Sequence, residues 1–153
     1  MGRKPENVHV YLYRVKNSRY EYAILHRADD AKCWQGISGG VEDDETPVQA
    51  ALREAHEEAG VPRNALLYRL DTVSSLPATV FSAHVQWGED VVVCPMFFYA
   101  IPFDGEITLS AEHTEYKWLS YDDAHALVYW HDQKTALWEL DQRLQSGNLI
   151  CAV

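Results

Sequence analysis

The chain has 153 residues, 47% of them hydrophobic, enough to bury a sizeable core and suited to a single α+β domain over residues 1–153. Its 23 acidic residues against 13 Lys and Arg give a formal net charge of −10, without the basic footprint that nonspecific nucleic-acid binding needs, so nucleic acid is not expected as a partner. No apolar run approaches a signal sequence or a membrane span, and three cysteines without CxxC spacing supply neither a disulfide framework nor a zinc site; the expectation is a cytoplasmic protein with no membrane partner.

Residues 1–7 are polar and expected to fray. Residues 8–15 and 20–27 are β-branched and aromatic runs separated by Lys16-Asn17-Ser18-Arg19, which predicts a hairpin. Arg27 and Lys32 flank the next loop, as phosphate contacts or as solvated loop charges; Cys33 reads as a reduced bystander and Trp34 as core. Residues 34–40 (WQGISGG) read as a short strand ending in a glycine turn, where the backbone can approach another group closely.

A helix follows. Thr46 can cap it, Pro47 takes the first helical position, Gln49 supplies the return bond of a capping box, and Gly60 ends it. Val48, Ala51, Leu52, Ala55 and Ala59 make one apolar face. On the rest, Glu54, Glu57 and Glu58 stand at i, i+3 and i+4, where like charges repel one another and the C-terminal end of the helix dipole repels them further. One guanidinium, Arg53, does not offset three acids. A hard divalent cation, Mg²⁺ with Mn²⁺ as the alternative, does, because such ions prefer carboxylate and carbonyl oxygen. Glu45 and Arg53 read instead as a brace fixing the loop to the helix, since a bidentate carboxylate pair suits an always-cationic guanidinium.

Beyond the helix, residues 64–73, 79–86 and 91–101 are strand-like, interrupted by Pro77, by Trp87-Gly88-Glu89-Asp90 and by a bulge expected at Pro95. Phe81, His84 and Trp87 surround the intervening loop, as ring-stacking residues or as core. Residues 114–119 read as the last strand, entered through Glu112 and His113, and residues 122–129 and 131–145 as two helices, the second with Leu137, Leu140 and Leu144 on one side.

Gly39, Glu45 and the run Arg53-Glu54-Ala55-His56-Glu57-Glu58-Ala59-Gly60-Val61 resemble a complete Nudix box, the signature of hydrolases acting on nucleoside diphosphates linked to another moiety. The resemblance implies an αβα sandwich with a mixed central sheet, a backbone carbonyl at Gly39 or Gly40 in the metal shell, and a glutamate that deprotonates the attacking water; dimers are common among relatives. Trp34-Gln35, Ser38 to Glu42, Glu112-His113 and Tyr116-Lys117-Trp118-Leu119 further resemble the branch typified by dihydroneopterin triphosphate pyrophosphatases, which also accept dATP. That branch usually has Thr-Gly-Ser where this chain has Ser38-Gly39-Gly40, and Gly where it has Asp44.

The expected reaction is Mg²⁺-dependent hydrolysis of a phosphoanhydride in a small nucleoside triphosphate-like substrate, with pyrophosphate released. Related readings are hydrolysis of dinucleoside polyphosphates, nucleotide sugars or capped RNA ends, and a non-catalytic nucleotide sensor. Glu54, Glu57 and Glu58 are the expected metal ligands, with Glu112 as general base or a further ligand and His113 as a weaker acid–base candidate.

Overall fold

Two antiparallel strands open the chain, β1 (Arg3–Lys16) and β2 (Arg19–Arg27), in a computed structural model that describes residues 2–152. Asn17 and Ser18 join them at φ of 53° and 63°, the paired left-handed conformations that match a two-residue turn to the twist of its strands. Along β1, Val8, Val10 and Leu12 face one core while Tyr11 and Tyr13 face the other, the two-residue period of a strand buried on both sides.

The expectation of fraying over residues 1–7 is corrected from Gly2 onward; Met1 lies outside the described residues. Gly2 O accepts from Asp43 N at 3.1 Å, Lys4 Nζ donates to Glu45 O at 2.7 Å, and Trp87 Nε1 donates to Arg3 O at 2.7 Å. Polar residues without a local pattern are ordered here because their partners come from distant segments.

The remaining elements are β3 (Trp34–Gln35), β4 (Ile37–Glu42), α1 (Pro47–Ala59), β5 (Tyr68–Pro77), two 3₁₀ helices (Ala78–Val80 and Ser82–Gln86), β6 (Val93–Pro102), β7 (His113–Leu119), α2 (Tyr121–Leu127), α3 (His131–Ser146) and β8 (Ile150–Cys151). They form one mixed sheet in the order β3-β2-β1-β6-β5-β8, with β4 also on β1 and β7 also on β2. The β1–β6 pairing is parallel and the others are antiparallel. On one face Ala51, Ala55 and Ala59 of α1 pack on Val8, Val10 and Leu12; on the other, Leu137, Leu140 and Leu144 of α3 pack with Tyr11, Tyr22 and Ile24. Each fully buried leucine contributes about 1.5–3 kcal/mol. Helices on both faces of a mixed sheet make the α+β, αβα sandwich that the box implied.

Four local expectations change. Residues 79–86 form 3₁₀ turns rather than a strand, with Phe81 N donating to Ala78 O at 3.1 Å, and Val80 and Val85 are exposed, so no alternate face is buried there. Gly39 and Gly40 lie inside β4, paired with Val8 and Asn7, not in a turn. Pro95 pairs with Ser75 without a bulge, and the register shift falls between Arg69 and Val73 of β5. The chain also has a strand after β7: the two residues of β8 pair with Tyr68 and Arg69, too short a segment to show periodicity.

Candidate active site

The local frame is the one its residue types dictate. Thr46 Oγ1 accepts from Gln49 N at 3.2 Å and Gln49 Oε1 from Thr46 N at 2.9 Å, closing the capping box. Gly60, at φ 75°, donates back to His56 O and stops α1 two residues after Glu58. Glu54 and Glu58 fall on the buried side of α1 together with the alanines, while Glu57 points outward with its side chain half exposed.

Arg53 ties the loop before the helix to the helix itself. Its Nε donates to Glu45 Oε2 at 2.6 Å and its Nη2 to Glu45 Oε1 at 3.0 Å, a bidentate fork. Nη2 also reaches Gly40 O at 2.9 Å, and Nη1 reaches Glu54 at 2.9 Å and Glu57 at 3.2 Å. The Arg53 guanidinium holds the Glu45 carboxyl below the usual carboxylate range, and Glu45 in turn raises the Arg53 pKa. Glu45 Oε1 also accepts from Glu42 N at 3.0 Å, fixing the loop backbone.

Glu54, Glu58 and Glu112 bring one carboxylate oxygen each to within 4.8 Å of one another. Two come from the helix and the third from the loop before β7, where Ala28 N donates to Glu112 O at 2.9 Å. Both Glu58 oxygens are buried without a hydrogen-bond partner, in a group only 1% exposed. Burial first, then the neighbouring Glu54 and Glu112, pushes the Glu58 carboxyl far above the usual carboxylate range, and burial raises Glu54 as well. Three converging oxygen donors with two orphaned buried oxygens fit a hard divalent cation, which would satisfy the lone pairs and remove the repulsion at once. Gly39 lies against this cluster: a Cβ there would stand 2.1 Å from the Glu54 carboxyl carbon, so only glycine lets strand and carboxylate approach so closely. Glu57, by contrast, rests on Arg53, outside that group of three.

His113 is buried with Nδ1 3.5 Å from Glu58 Oε1, and neither ring nitrogen has a hydrogen-bond partner. Burial, then the Arg27 charge, lowers its pKa to about 4, so the contact joins a neutral ring to a carboxyl group and is no ion pair.

A cleft of about 750 Å³ runs from this cluster, lined at its acidic end by Gly39, Arg53, Glu54 and Glu112. Arg27 and Cys33 also line it. Arg27 is engaged with exposed Asp29 through bonds of 2.7 and 2.8 Å, and burial raises the Cys33 thiol pKa, as expected of a bystander. Lys32 does not line the cleft; Trp34 stacks on His26 with centroids 4.4 Å apart and packs on the α3-side core. Of the three loop aromatics, Phe81 lines the cleft, whereas Trp87 packs behind it at 6.2 Å and His84 bonds to Phe81 O.

Arg3, Asn7, Gln35, Asp132 and Gln133 also line the cleft, and the sequence reading missed them. Gln35 and Gln133 are 3% exposed, with Gln35 Nε2 and Gln133 Oε1 unpartnered. No local pattern announces these residues, because strand pairing and the packing of α3 bring them together from three parts of the chain. The one signal available for Gln133 was a polar residue on the face of α3 that also carries buried Leu137, Leu140 and Leu144.

The model of the NUDIX domain matches residues 4–138. The chain is 32% identical over 133 residues to the asymmetrical bis(5'-nucleosyl)-tetraphosphatase of Sus scrofa, covering 87% of this chain and 86% of that one. It is also 32% identical over 131 residues to the dihydroneopterin triphosphate diphosphatase of Escherichia coli strain K12, covering 82% and 85%. A solved Listeria monocytogenes chain assigned to the NUDIX hydrolases superposes with a TM-score of 0.86 at 34% identity, covering 97% of this chain and 99% of that one. No helix among the described residues is long and apolar enough to cross a membrane. The carboxylate cluster, the filled box and these likenesses lead to one assignment: the chain belongs to the NUDIX domain family and is a hydrolase of that family.

Proposed function

We propose that the chain is a Mg²⁺-dependent cytoplasmic pyrophosphohydrolase, acting as one catalytic domain on a nucleoside triphosphate-like substrate, dihydroneopterin triphosphate or a dNTP such as dATP, and releasing pyrophosphate. The observation that carries this reading is the Glu54–Glu58–Glu112 cluster, two of its members buried and Glu58 with two orphaned oxygens, at the end of a cleft large enough for a nucleotide.

A phosphoanhydride in water is protected by its own negative charge, so hydrolysis needs charge neutralisation and a water held in line with the leaving oxygen. Bound Mg²⁺, or Mn²⁺ in its stead, supplies charge neutralisation and acidifies water. Glu54, Glu58 and Glu112 would hold the ion, and Glu57, which rests on Arg53 at 3.2 Å, would be a further ligand. Of the two backbone carbonyls, that of Gly39 would be the one to offer the ion, since Gly40 O is already engaged by Arg53. Arg53 and Glu45 keep β4 and α1 in register, so the ligands stay aimed at one point. Glu112, the exposed member of the cluster, takes the proton of the attacking water. The protein works as a homodimer or a monomer with the site built from one chain.

Hydrolysis of a dinucleoside polyphosphate is the second reading, and the 32% identity to the Sus scrofa tetraphosphatase, equal to that with the pterin enzyme, favours it. Dihydroneopterin triphosphate, dATP, diadenosine tetraphosphate, a nucleotide sugar and a 5′-triphosphate RNA assayed in parallel with Mg²⁺ separate these readings. Pyrophosphate released mainly from the first two supports the proposal; preference for diadenosine tetraphosphate, yielding AMP and ATP, transfers it to the second reading. Near-wild-type turnover by Glu57→Gln on every substrate cleaved would remove Glu57 from the metal shell.

A further inference from the structure

Arg3 lines the cleft together with Arg27 and Arg53, within the field of the Glu54 carboxylate but without an ion pair among the described residues. Its Nη2 donates to the neutral Asn7 Oδ1 at 2.5 Å, its Nε–H is buried with no partner, and among the described residues no carboxylate forms an ion pair with it. Arg14, Arg27, Arg53, Arg69 and Arg143 each have one, and Arg19 and Arg63, which have none, are exposed. The guanidinium carbon lies 5.1 Å from the Phe81 ring centroid and 5.8 Å from that of Trp87, so two aromatic faces back it and shield it from water.

The backbone around it is fixed as well. Arg3 pairs with Glu42 across β1–β4, and Trp87 Nε1 donates to Arg3 O. Position 40 of β4 must be glycine for the guanidinium to lie there, since an added Cβ would stand 1.9 Å from Arg3 Nε; position 39 makes the equivalent allowance for the Glu54 carboxylate. Adjacent residues of one strand thus accommodate a cation and a metal-cluster carboxylate, and both side chains line the same cleft. Desolvating a guanidinium that has no ion pair is costly, and a guanidinium lining the cleft that also holds Glu54 and Glu112 suits phosphate oxygens.

We infer that Arg3 is a phosphate-binding residue, engaging the polyphosphate chain of the substrate through the part of its guanidinium that lines the cleft, while Phe81 and Trp87 hold the group in place. The inference rests on the reading of the cleft as a phosphoanhydride site, and it assigns to the 3₁₀ segment the job of positioning a cation.

Inorganic pyrophosphate, titrated by calorimetry in Mg²⁺ into wild type, Arg3→Gln and Arg3→Lys, tests it without turnover. Loss of one charge-assisted contact predicts pyrophosphate binding about tenfold weaker or more in Arg3→Gln. Arg3→Lys, which keeps the charge and loses the fork, should recover part of it. Equal affinity in wild type and Arg3→Gln would overturn the inference, as would an equal loss for adenosine, which would make Arg3 a stacking platform for the base. Should Arg3→Gln not fold, the Arg3 Nε–H resonance of the wild type, assigned by its absence in Arg3→Lys, must shift on saturation with pyrophosphate; a resonance that stays in place overturns the inference equally. Failure of the whole substrate panel would overturn the hydrolase reading and leave the pyrophosphate result to stand or fall by itself.

Discussion

Consider the double-mutant cycle Arg53→Met and Glu45→Gln. The two side chains are 16% and 13% exposed and meet through bonds of 2.6 and 3.0 Å, so the pair is largely desolvated. Removing one partner of a fully buried pair costs about 3–5 kcal/mol, because the other charge is left without compensation. Residual exposure brings each single substitution to roughly 2–3 kcal/mol. Arg53→Met also releases Glu54 and Glu57, so its single-mutant cost mixes several contacts; the cycle isolates the Glu45 share. Urea unfolding of the four proteins at pH 7 should give a coupling of about 1.5 kcal/mol or more. Acidity supplies a second readout. The folded-state pKa of Glu45 is depressed from 4.5, chiefly by Arg53, so the stability it contributes is full above pH 4.5 and is lost as pH falls through the folded value. The stability gap between wild type and Glu45→Gln should therefore narrow below pH 4.5. A coupling under about 0.5 kcal/mol, with a gap that ignores pH, would refute the brace.

Three further substitutions probe the site and its support. Glu58→Gln removes a buried carboxyl that, without metal, must take up a proton to stay in the fold at pH 8, so in EDTA it should raise the melting temperature, by about 1–2 kcal/mol of added stability, while abolishing stabilisation by Mg²⁺ and cutting turnover by several powers of ten; a variant that melts lower in EDTA and still gains from Mg²⁺ speaks against a cation site. Gly39→Ala drives a methyl group into the Glu54 carboxylate, for an expected cost of about 1–3 kcal/mol and a tenfold or greater fall in kcat/KM, and unchanged kinetics would show that strand and carboxylate separate freely. Glu139, which accepts from Asp71 N, Thr72 N, Thr72 Oγ1 and Arg143 Nε at 2.6–2.7 Å, ties α3 to β5 away from the cleft; Glu139→Ala should cost about 2–4 kcal/mol in urea with kcat/KM unaltered, and a cost near zero would count against this tie.

How much of the site was legible in the sequence divides along the range of the interactions. The capping box, the Gly60 stop and the brace each join residues at most 8 positions apart, within α1 or flanking it, so local spacing reveals them. The same geometry aims Glu54 and Glu58 together, but Glu57, equally close by spacing, lies toward Arg53, because the buried sector of α1 is narrower than the arc the three glutamates span. Glu112 was readable only through resemblance, since loop closure against Ala28 brings it to the helix. Arg3 was misread outright: an N-terminal arginine among polar residues carries the composition of a frayed tail, and its aromatic partners stand 78 and 84 positions away, Phe81 in a segment misassigned as strand and Trp87 in the break after it. That pairing has a consequence for specificity. On the proposed reading the box would supply carboxylates for a metal, whereas Arg3, Gln35 and Gln133, which also line the cleft, come from β1, β3 and α3, which no local motif links. Substrate choice would then rest on residues outside the box, and in this chain Arg3 and Gln133, far from it in sequence, and Gln35, just before it, are the positions at which a change would act.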